Sequence, residues 1–439
     1  MSIELKKYYK PLIKRSKYYD CNYRELQVVR CSIATFTEWA YEGNPKLAVG
    51  VDGFSESLFR NAYDCMCYLL TGGKIEFISL FLLEQSFFYE ESERFLHRAK
   101  FVSLFIRRVK MENKKRILTG DRTTGRLHLG HYVGSLQNRV KLQDEYDTFI
   151  LLADVQALTT HFEKPDIIKQ SIYDVAIDNL SVGLDPDKIT MLLQSKITAI
   201  AELTVFYSML VSVNSLRHNP TIKTEAKQYG YGDLSYGFLG YPVSQAADIT
   251  FCNADLVPGG DDQLPHLELA RKIVRRINDL YSAGIKEPEI ILSSCPRLMG
   301  LDGNSKMGKS LNNAIYLSDS KEDVNKKINS ALTDKNRISL HDKGNPEICI
   351  VSKYHQIFNT DDYENICEMC RNADIGCVAC KNQLSKKINH MLEPFRDKRA
   401  YYEAHRSLVK DIIEEGSKKA NAEGNKTVEE LKKSMNLSL

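Results

Sequence analysis

The sequence has no long apolar run and no strong excess of charge. No apolar stretch reaches the roughly 18 residues that a transmembrane helix needs, and the N-terminus lacks the basic, apolar and cleavable series of a secretory signal. The net charge is only +3, from 60 Lys and Arg against 57 Asp and Glu, so any contact with nucleic acid must come from a local basic face. These absences predict a cytoplasmic protein without a membrane partner.

What is present is an ordinary globular composition, 43% hydrophobic and 27% charged over 439 residues, a length that predicts two or three domains. The 11 cysteines are an odd number, which fits reduced thiols better than a disulfide framework. Residues 1–113 show no family pattern. We interpret them as a mostly helical extension of unknown role, either an added domain or sequence upstream of the true start, since Met111 could open a catalytic unit.

A strand, a glycine turn and a helix follow one another in residues 116–142. The apolar strand ends at Gly120, the chain turns through Gly125, and apolar residues then recur at helical spacing. Unpaired N–H groups at the start of a helix favour phosphate. His128 and His131 fall on one face of the first turn, where they could donate hydrogen bonds to developing charge. Alternatively, they are surface histidines that cap the helix.

Strand and helix patterns alternate from residue 116 to about residue 300. Apolar runs at 148–153, 189–193 and 290–292 predict strands, and residues 165–180 predict a helix. We therefore predict an α/β fold with a Rossmann-type doubly wound parallel sheet, whose ligands lie at the carboxyl ends of the strands. The predicted division is the extension at 1–113, a catalytic domain at 114–311 and an α-helical C-terminal region at 312–439.

Two further stretches carry candidate functional residues. Residues 241–249 read Tyr-Pro-Val-Ser-Gln-Ala-Ala-Asp-Ile. Residues 257–266 contain Gly-Gly-Asp-Asp-Gln, whose glycines allow close backbone approach and whose polar side chains suit ribose hydroxyls. The loop at 296–310 carries Lys306 and Lys309, two charges suited to a departing pyrophosphate. A polar turn and a solvated charged loop are the alternative interpretations.

The order of these motifs resembles the class I aminoacyl-tRNA synthetases, in the form seen in bacterial-type tryptophanyl enzymes. HLGH at 128–131 resembles the HIGH signature, and Gly-Asp-Asp-Gln at 260–263 resembles the Gly-x-Asp-Gln ribose signature. KMGKS at 306–310 resembles the KMSKS loop, with Gly308 in place of a serine. The resemblance implies that His128, His131, Lys306 and Lys309 are catalytic. It also implies an ATP site built from Arg122, Thr123, Thr124, Gly130, His131, Gly260, Asp261, Asp262, Gln263, Leu298, Lys306, Met307, Gly308, Lys309 and Ser310.

The same resemblance implies a reaction. The carboxylate of L-tryptophan attacks the α-phosphorus of ATP bound with Mg²⁺, and the tryptophanyl adenylate passes to tRNA(Trp). In tryptophanyl enzymes the aspartate that matches Asp248 accepts the indole N–H, and Gln245 borders the same pocket. The C-terminal region would bind the anticodon, and the chain would form a homodimer. A tyrosyl-tRNA synthetase and a non-catalytic, synthetase-like regulatory protein are the two alternatives.

Four cysteines lie close together near residue 370. Cys367-x-x-Cys370 is followed, after six intervening residues, by Cys377-x-x-Cys380, a spacing that favours a zinc ion or an iron-sulfur cluster. Chance clustering of reduced thiols is the alternative. In a subset of tryptophanyl-tRNA synthetases, cysteines ending in Cys-x6-Cys-x-x-Cys hold a [4Fe-4S] cluster, which implies Cys370, Cys377 and Cys380 with Cys349 upstream. Cys367 would then be an alternative fourth ligand or a spectator.

Overall fold

The computed structural model describes residues 114–260, 263–292, 298–303, 307–308, 311 and 313–437. They lie within one structural unit, Met111–Leu439. The predictions made for residues 1–113 lie outside the described residues, as do the predicted site residues Asp261, Asp262, Lys306, Lys309 and Ser310. None of the helices in the described part of the chain is both long enough and apolar enough to span a membrane.

A five-stranded parallel sheet forms the centre of this unit, in the order β3-β2-β1-β4-β5. Its strands are β1 (Arg116–Arg122), β2 (Asp147–Ala153), β3 (Ile189–Leu193), β4 (Leu256–Gly259) and β5 (Glu289–Leu292). The predicted doubly wound parallel sheet is confirmed. The sequence did not predict β4, because its four residues include Pro258 and Gly259, which are uncommon within strands.

The chain order of the strands creates the site. In chain order, the sheet is built from the central β1, then from β2 and β3 on one side, and finally from β4 and β5 on the other side. Ile117 of β1 pairs with Thr148 of β2 and with Leu256 of β4, so the strands on both sides run in register with it. The order therefore reverses beside β1, which is where open α/β sheets bind ligands.

Helices connect and cover the strands, and they include those predicted after the glycine turn and at 165–180. Between β1 and β3 lie α1 (Leu129–His131), α2 (Gln137–Leu142), α3 (Asp154–His161) and α4 (Pro165–Ser181). Between β3 and β5 lie α5 (Thr198–Ser208), α6 (Val213–Arg217), α7 (Pro220–Tyr229), α8 (Tyr236–Thr250) and α9 (Leu264–Tyr281). After β5 come α10 (Lys321–Ser330), α11 (Ile350–Phe358), α12 (Tyr363–Asn372), α13 (Cys377–Ala404) and α14 (Arg406–Ser434).

Two apolar cores lie on opposite faces of the sheet. Phe149 and Leu151 of β2 belong to one core, whereas Ile150 and Leu152 belong to the other. All seven residues of β2 are buried, as expected of a parallel strand covered on both faces. Because all five strands run parallel, the loops that follow their carboxyl ends lie at one edge of this doubly covered sheet.

The last helix packs directly on the sheet. A Cβ at Gly416 of α14 would lie 1.9 Å from Met191 O of β3, so only glycine permits this approach. Ser417 Oγ accepts the Leu193 N–H at 3.0 Å. The C-terminal helices therefore contact the strands that carry the site, while the predicted boundary at residue 312 stays a prediction.

Candidate active site

The predicted histidine pair lies at the start of α1, after the turn that follows β1. His128 is the N-cap residue, and its Nδ1 accepts the N–H of Gly130 at 3.1 Å. His131 Nδ1 accepts the N–H of His128 at 3.2 Å, which completes a capping box built from two imidazoles. The ring centroids lie 3.9 Å apart. The two rings therefore cap the helix and also lie together.

Capping determines which ring nitrogen carries the proton. Because Nδ1 of each ring accepts a backbone N–H, each neutral imidazole holds its proton on Nε2 and donates through that atom. Gly130 permits the arrangement, since a Cβ there would lie 2.9 Å from His128 Cε1. The capping box thus orients two N–H donors, the type of group that stabilises negative charge in a transition state.

A buried ion pair supports this turn. Arg139 of α2 is 2% exposed and donates to both carboxylate oxygens of Asp121, at 2.6 and 3.1 Å. Burial raises the pKa of Asp121, but Arg139, together with His131 and Asn179, outweighs it and holds this pKa below its usual value. A π-helical segment, Tyr132–Leu136, joins α1 to α2. Asp121 therefore fastens the end of β1 to the helix that continues from the histidines.

The described part of the lysine-bearing loop lies against the histidine turn. Met307 is 4% exposed, and its Sδ would lie 3.6 Å from a Cβ built at Gly130. Beyond the loop, Tyr316 pairs with His128 in an antiparallel bridge. HLGH and the described residues of KMGKS are therefore neighbours, as a shared nucleotide site requires.

The glycine that departs from the KMSKS pattern is tightly surrounded. A Cβ at Gly308 would lie 3.3 Å from Leu311 Cδ1, so a side chain here requires a small shift of Leu311. The Gly308 N–H donates to Asn313 Oδ1 at 2.9 Å. Leu298, at the other end of the loop, is 4% exposed and packs in the apolar core. The loop is thus attached to the protein at both ends.

Asp248 is a buried carboxylate with a firmly positioned amide partner. It is 4% exposed in α8, and Gln194, which directly follows β3, donates Nε2 to Asp248 Oδ1 at 2.7 Å. Gln194 Oε1 accepts the Gln156 N–H at 2.9 Å, which fixes the orientation of the amide. Burial raises the pKa of Asp248 to about 7; the Gln194 hydrogen bond opposes this rise and Asp154 adds to it. The Asp248 carboxyl group therefore changes its protonation state near neutral pH.

Residues from the two predicted binding stretches meet beside Asp248. Gln245, three residues before it in α8, donates Nε2 to Gln263 Oε1 at 3.2 Å. Gln263 is the N-cap of α9, and its N–H donates to Gly260 O at 3.0 Å. Tyr241 is seven residues before Asp248, or about 10.5 Å along the same helix face. α8 therefore presents an acceptor at one end of this face and a phenol at the other.

Two buried oxygen atoms beside β1 complete this region. Arg122 Nη2 lies 3.5 Å from Glu225 Oε1 of α7, and burial, together with Glu225, raises the pKa of the Tyr241 hydroxyl. Within the described residues, Thr123 Oγ1 and Glu225 Oε2 are buried side-chain oxygens that meet no partner in full hydrogen-bond geometry, although the Tyr241 hydroxyl is close enough to hydrogen-bond the Glu225 side chain. Such atoms are usually satisfied in proteins, so these two are candidates to bind a polar ligand. Thr124, which follows Arg122 and Thr123 in the predicted ATP site, donates its N–H to Arg122 O at 2.9 Å.

The five predicted metal-binding cysteines do not form a recognisable metal site. No group of three or more His, Cys, Asp or Glu in the described part of the chain is arranged to hold a metal ion. Cys367 is 2% exposed, and its Sγ lies 3.6 Å from Ser352 Oγ. Burial raises the pKa of Cys380 to about 12, and the other four thiols, Cys349, Cys370, Cys377 and Cys367, each contribute further. The thiols are therefore near one another without being assembled as ligands.

The basic residues around these cysteines differ in whether they are free to contact a nucleic acid. Lys386 and Lys387 of α13 line an open groove of about 470 Å³. By contrast, Arg399 is 6% exposed and paired with carboxylates of α4, and Arg396 donates to Asp319 O and to Asn389. Arg399 is therefore not available to bind the tRNA backbone, since its charge is neutralised inside the protein.

Sequence reasoning missed three residues of this region. Gln194 could have been found, because it directly follows a predicted buried strand at the carboxyl edge of the sheet. Glu225 lies on a helix outside every motif and Arg139 on the helix that follows HLGH, and only their tertiary contacts reveal them.

Comparison with known proteins identifies the family. A model described as class I tRNA synthetases (W and Y) matches residues 110–393. The tryptophan–tRNA ligase of Streptococcus mutans is 47% identical over 337 residues, covering 74% of this chain and 99% of the relative. That of Lactococcus lactis is 45% identical over 336 residues, covering 74% and 98%.

A solved structure agrees. The tryptophanyl-tRNA synthetase of Campylobacter jejuni, complexed with ADP and tryptophan, superposes with a TM-score of 0.66 at 27% identity, covering 73% of this chain and 100% of that one. The predicted family is thus confirmed. With its histidine turn, lysine-bearing loop and parallel sheet in the expected arrangement, the chain belongs to the class I tRNA synthetases of the tryptophan and tyrosine branch.

Proposed function

We propose that this protein is a tryptophan–tRNA ligase, which forms tryptophanyl adenylate from L-tryptophan and MgATP and passes tryptophan to tRNA(Trp). The observation that carries the proposal is the buried Asp248 carboxylate, held by Gln194 at the carboxyl edge of the sheet. Indole has one hydrogen-bond donor and no acceptor, so a fixed acceptor suits it. Relatives named tryptophan–tRNA ligases, which are 45–47% identical and matched over 98–99% of their own length, support the same substrate.

The proposed chemistry needs no side-chain nucleophile. The carboxylate of tryptophan attacks the α-phosphorus of ATP, and the chain holds the two in line and stabilises the charge that develops. His128 and His131 would donate from Nε2, and Lys306 and Lys309 would bind the departing pyrophosphate. The helix start of α1 favours phosphate, and Gly260, Asp261, Asp262 and Gln263 would hold the ribose. Mg²⁺ would neutralise charge on the phosphates when bound.

The amino acid would lie along α8. With the indole N–H on Asp248, the backbone of tryptophan would extend toward Tyr241 and Glu225, because the two ends of this helix face are about 10.5 Å apart. The buried Glu225 Oε2 would then accept a hydrogen bond from the ammonium group. Gln245 and Gln263 lie between these ends and would border the side chain.

ATP–pyrophosphate exchange, run separately with tryptophan and with tyrosine, tests the proposal. We expect exchange with tryptophan and none above background with tyrosine, followed by charging of tRNA(Trp). Exchange with tyrosine alone would favour the tyrosyl alternative. If neither amino acid supports exchange, the non-catalytic, regulatory alternative gains.

We propose that α13 contacts tRNA through the groove noted above. Its lining is Asn359, Asp362, Gln383, Lys386, Lys387 and His390. The two lysines could bind backbone phosphates, and the amides could bind bases. A ligase of this kind supplies translation, so we propose a cytoplasmic location, and a homodimer as the family resemblance implies.

We further propose a metal site, a [4Fe-4S] cluster or zinc, narrowed to Cys349, Cys370, Cys377 and Cys380. Four thiolates are the donor set that both zinc and iron-sulfur clusters take. The mutual effect of these thiols on the pKa of Cys380 supports their proximity. Cys367 is omitted because it packs against Ser352.

Anaerobic purification, with visible absorbance and iron, sulfide and zinc analysis, checks this prediction. We expect one bound cluster or ion per chain in the wild type and in Cys367→Ser, and its loss in Cys370→Ser. Metal-free protein with full charging activity would contradict the site, and equal loss in both variants would contradict the narrowed set.

Binding of tryptophan is expected to depend on pH through Asp248. Burial raises its pKa to about 7, whereas the indole N–H is accepted best by the carboxylate. Affinity should therefore be full above neutrality and be lost as pH falls through the pKa, by up to about tenfold per pH unit. Equilibrium dialysis of tryptophan across neutrality measures the effect. Asp248→Asn is the control and should bind weakly without this dependence; a flat wild-type profile would contradict the assignment.

A further inference from the structure

A buried arginine of the C-terminal helices reaches into the catalytic half of the protein. Arg399 lies near the end of α13, and its side chain is 7% exposed. Its guanidinium pairs with Asp178 of α4, and with Asp174 one turn earlier at 3.1 Å. Glu403 of α13 accepts from Nε at 2.9 Å. Such a contact is unusual for a residue in a predicted tRNA-binding region, because its charge is withdrawn from solvent.

The carboxylate that Arg399 holds also binds the backbone of the signature turn. Asp178 is fully buried; its Oδ1 meets Arg399, and its Oδ2 accepts the N–H of Leu127 at 2.7 Å. Leu127 directly precedes His128, the N-cap of α1. A single carboxylate therefore connects the arginine of α13 to the chain segment that sets the position of the histidines.

The other side of that segment is also fixed. Leu127 O accepts the N–H of Leu317 at 3.0 Å, and Leu129 N–H donates to Ile315 O at 2.9 Å. The turn thus lies between the Asp178 carboxylate and the segment that follows the KMGKS loop. Backbone groups of Leu127 and Leu129, on both sides of His128, are hydrogen-bonded. We therefore expect a movement of Asp178 to displace the His128 imidazole rather than to make it more mobile.

Two acidic groups one helical turn apart need a cation to share this buried space. Burial raises the pKa of Asp178 to about 6 and Asp174 adds to the rise, while Arg399 and the Leu127 N–H oppose it. Removing one partner of a buried ion pair leaves an uncompensated charge, which is strongly unfavourable. Arg399 is therefore what allows Asp178 to remain an ionised acceptor for Leu127.

We propose that Arg399 is a positioning residue for adenylate formation, acting through Asp178 and the Leu127 amide to hold the HLGH turn. The inference rests on the proposed function, since it concerns the histidines of that reaction. Arg399 touches no reactant. Its effect falls on the placement of His128 and His131 relative to the α-phosphate, and the tryptophan-binding residue Asp248 lies on a different helix.

Arg399→Met tests the inference by ATP–pyrophosphate exchange. We expect kcat to fall by roughly tenfold to a hundredfold, as for an ångström-scale misplacement of a catalytic group, with the Kd for tryptophan within about twofold of wild type. Arg399→Lys keeps the positive charge but lacks the planar guanidinium that pairs with both carboxylates, and it should recover part of the lost kcat. The double variant Arg399→Met/Asp178→Asn removes the unpaired buried charge of Asp178, while the asparagine amide oxygen can still accept the Leu127 N–H. Its kcat should therefore recover further than that of Arg399→Met alone.

Arg116→Met is the matched control. Arg116 is also a partly buried, ion-paired arginine that connects the sheet to α14, through Asp147 at 2.8 Å and Glu423 at 3.3 Å, but it lies at the amino end of β1. Its loss should lower the unfolding temperature and leave kcat within about twofold, because its side-chain hydrogen bonds among the described residues are with Asp147, Cys252 O and Glu423, away from the turn.

The outcomes separate the inference from the proposed function. If wild-type protein activates tryptophan and folded Arg399→Met keeps full kcat, the positioning role is wrong and the function stands. An equal fall of kcat in Arg399→Met and Arg116→Met would reduce the role to general stability and overturn the inference. If Arg399→Met does not fold, the double variant and Arg399→Lys carry the same comparison. Absence of exchange by the wild type overturns both.

Discussion

Replacement of Asp248 by asparagine is expected to abolish discrimination between tryptophan and an analogue that lacks the indole N–H. In 3-benzothienylalanine, sulfur replaces that N–H with little change in shape. The wild type should prefer tryptophan in kcat/KM by roughly four powers of ten, because the analogue leaves the carboxylate oxygen that Gln194 does not bind buried and unpaired. In Asp248→Asn the preference should fall to about tenfold or less, since a neutral amide is less costly to leave unpaired. Exchange kinetics with both amino acids measure the two ratios.

The direction of the loss distinguishes specificity from damage. Activity with tryptophan should fall while activity with the analogue is retained or rises, which a general defect cannot produce. Gln194→Glu is an informative companion, because it would place a second acid at the 2.7 Å contact now made by the amide, and should weaken binding of both amino acids. If Asp248→Asn lowers kcat/KM equally for both, Asp248 does not bind the indole N–H.

Removal of Lys309 is expected to slow formation of the adenylate without weakening binding of tryptophan. Lys309 lies outside the described residues, but Met307 of the same loop packs against the histidine turn, which supports a position near the phosphates. Loss of one charge-stabilising donor costs about 3 kcal/mol, or a factor of roughly a hundred to a thousand in rate. Single-turnover formation of the adenylate from Lys309→Ala measures the rate, and equilibrium dialysis measures the affinity.

A lysine on the nearby helix provides the control. Lys321 is an exposed residue of the first turn of α10, and Lys321→Ala should leave the rate within about twofold. Restoration of a positive charge in Lys309→Arg should recover part of the rate, because the pyrophosphate responds mainly to charge. An equal loss of rate and of tryptophan affinity in Lys309→Ala would argue that the lysine binds the ground state instead.

The fold of the described region was largely predictable because its elements are specified locally. The apolar run that forms β2 is buried throughout, Pro165 opens α4, and Ser320 accepts the Asp323 N–H at 3.0 Å to cap α10. The histidine turn and the glutamine of the ribose motif were found for the same reason, since each lies in a contiguous pattern. β4 escaped prediction because pairing with both neighbours, rather than propensity, makes it a strand.

The candidate site was predictable only in part. Asp248 and Gln245 lie three residues apart in sequence and share a helix, so their proximity needs no long-range knowledge. The orientation of Gln194 toward Asp248 joins residues 54 positions apart, and the pairing of Arg399 with Asp178 joins residues 221 positions apart. No local pattern encodes such contacts, because they depend on how strands and helices pack.

The sequence by itself determined the family, the order of the signature motifs, the parallel sheet and the chemical groups available for the reaction. Only the tertiary structure decided how those groups are used. It placed the two imidazoles in a mutual capping box that leaves Nε2 as the donor, withdrew Arg399 from the basic surface, and packed the buried Cys367 thiol against Ser352. The physical reason is that hydrogen-bond partners and burial, which set tautomer, charge and availability, are properties of the packed chain and not of its residue types.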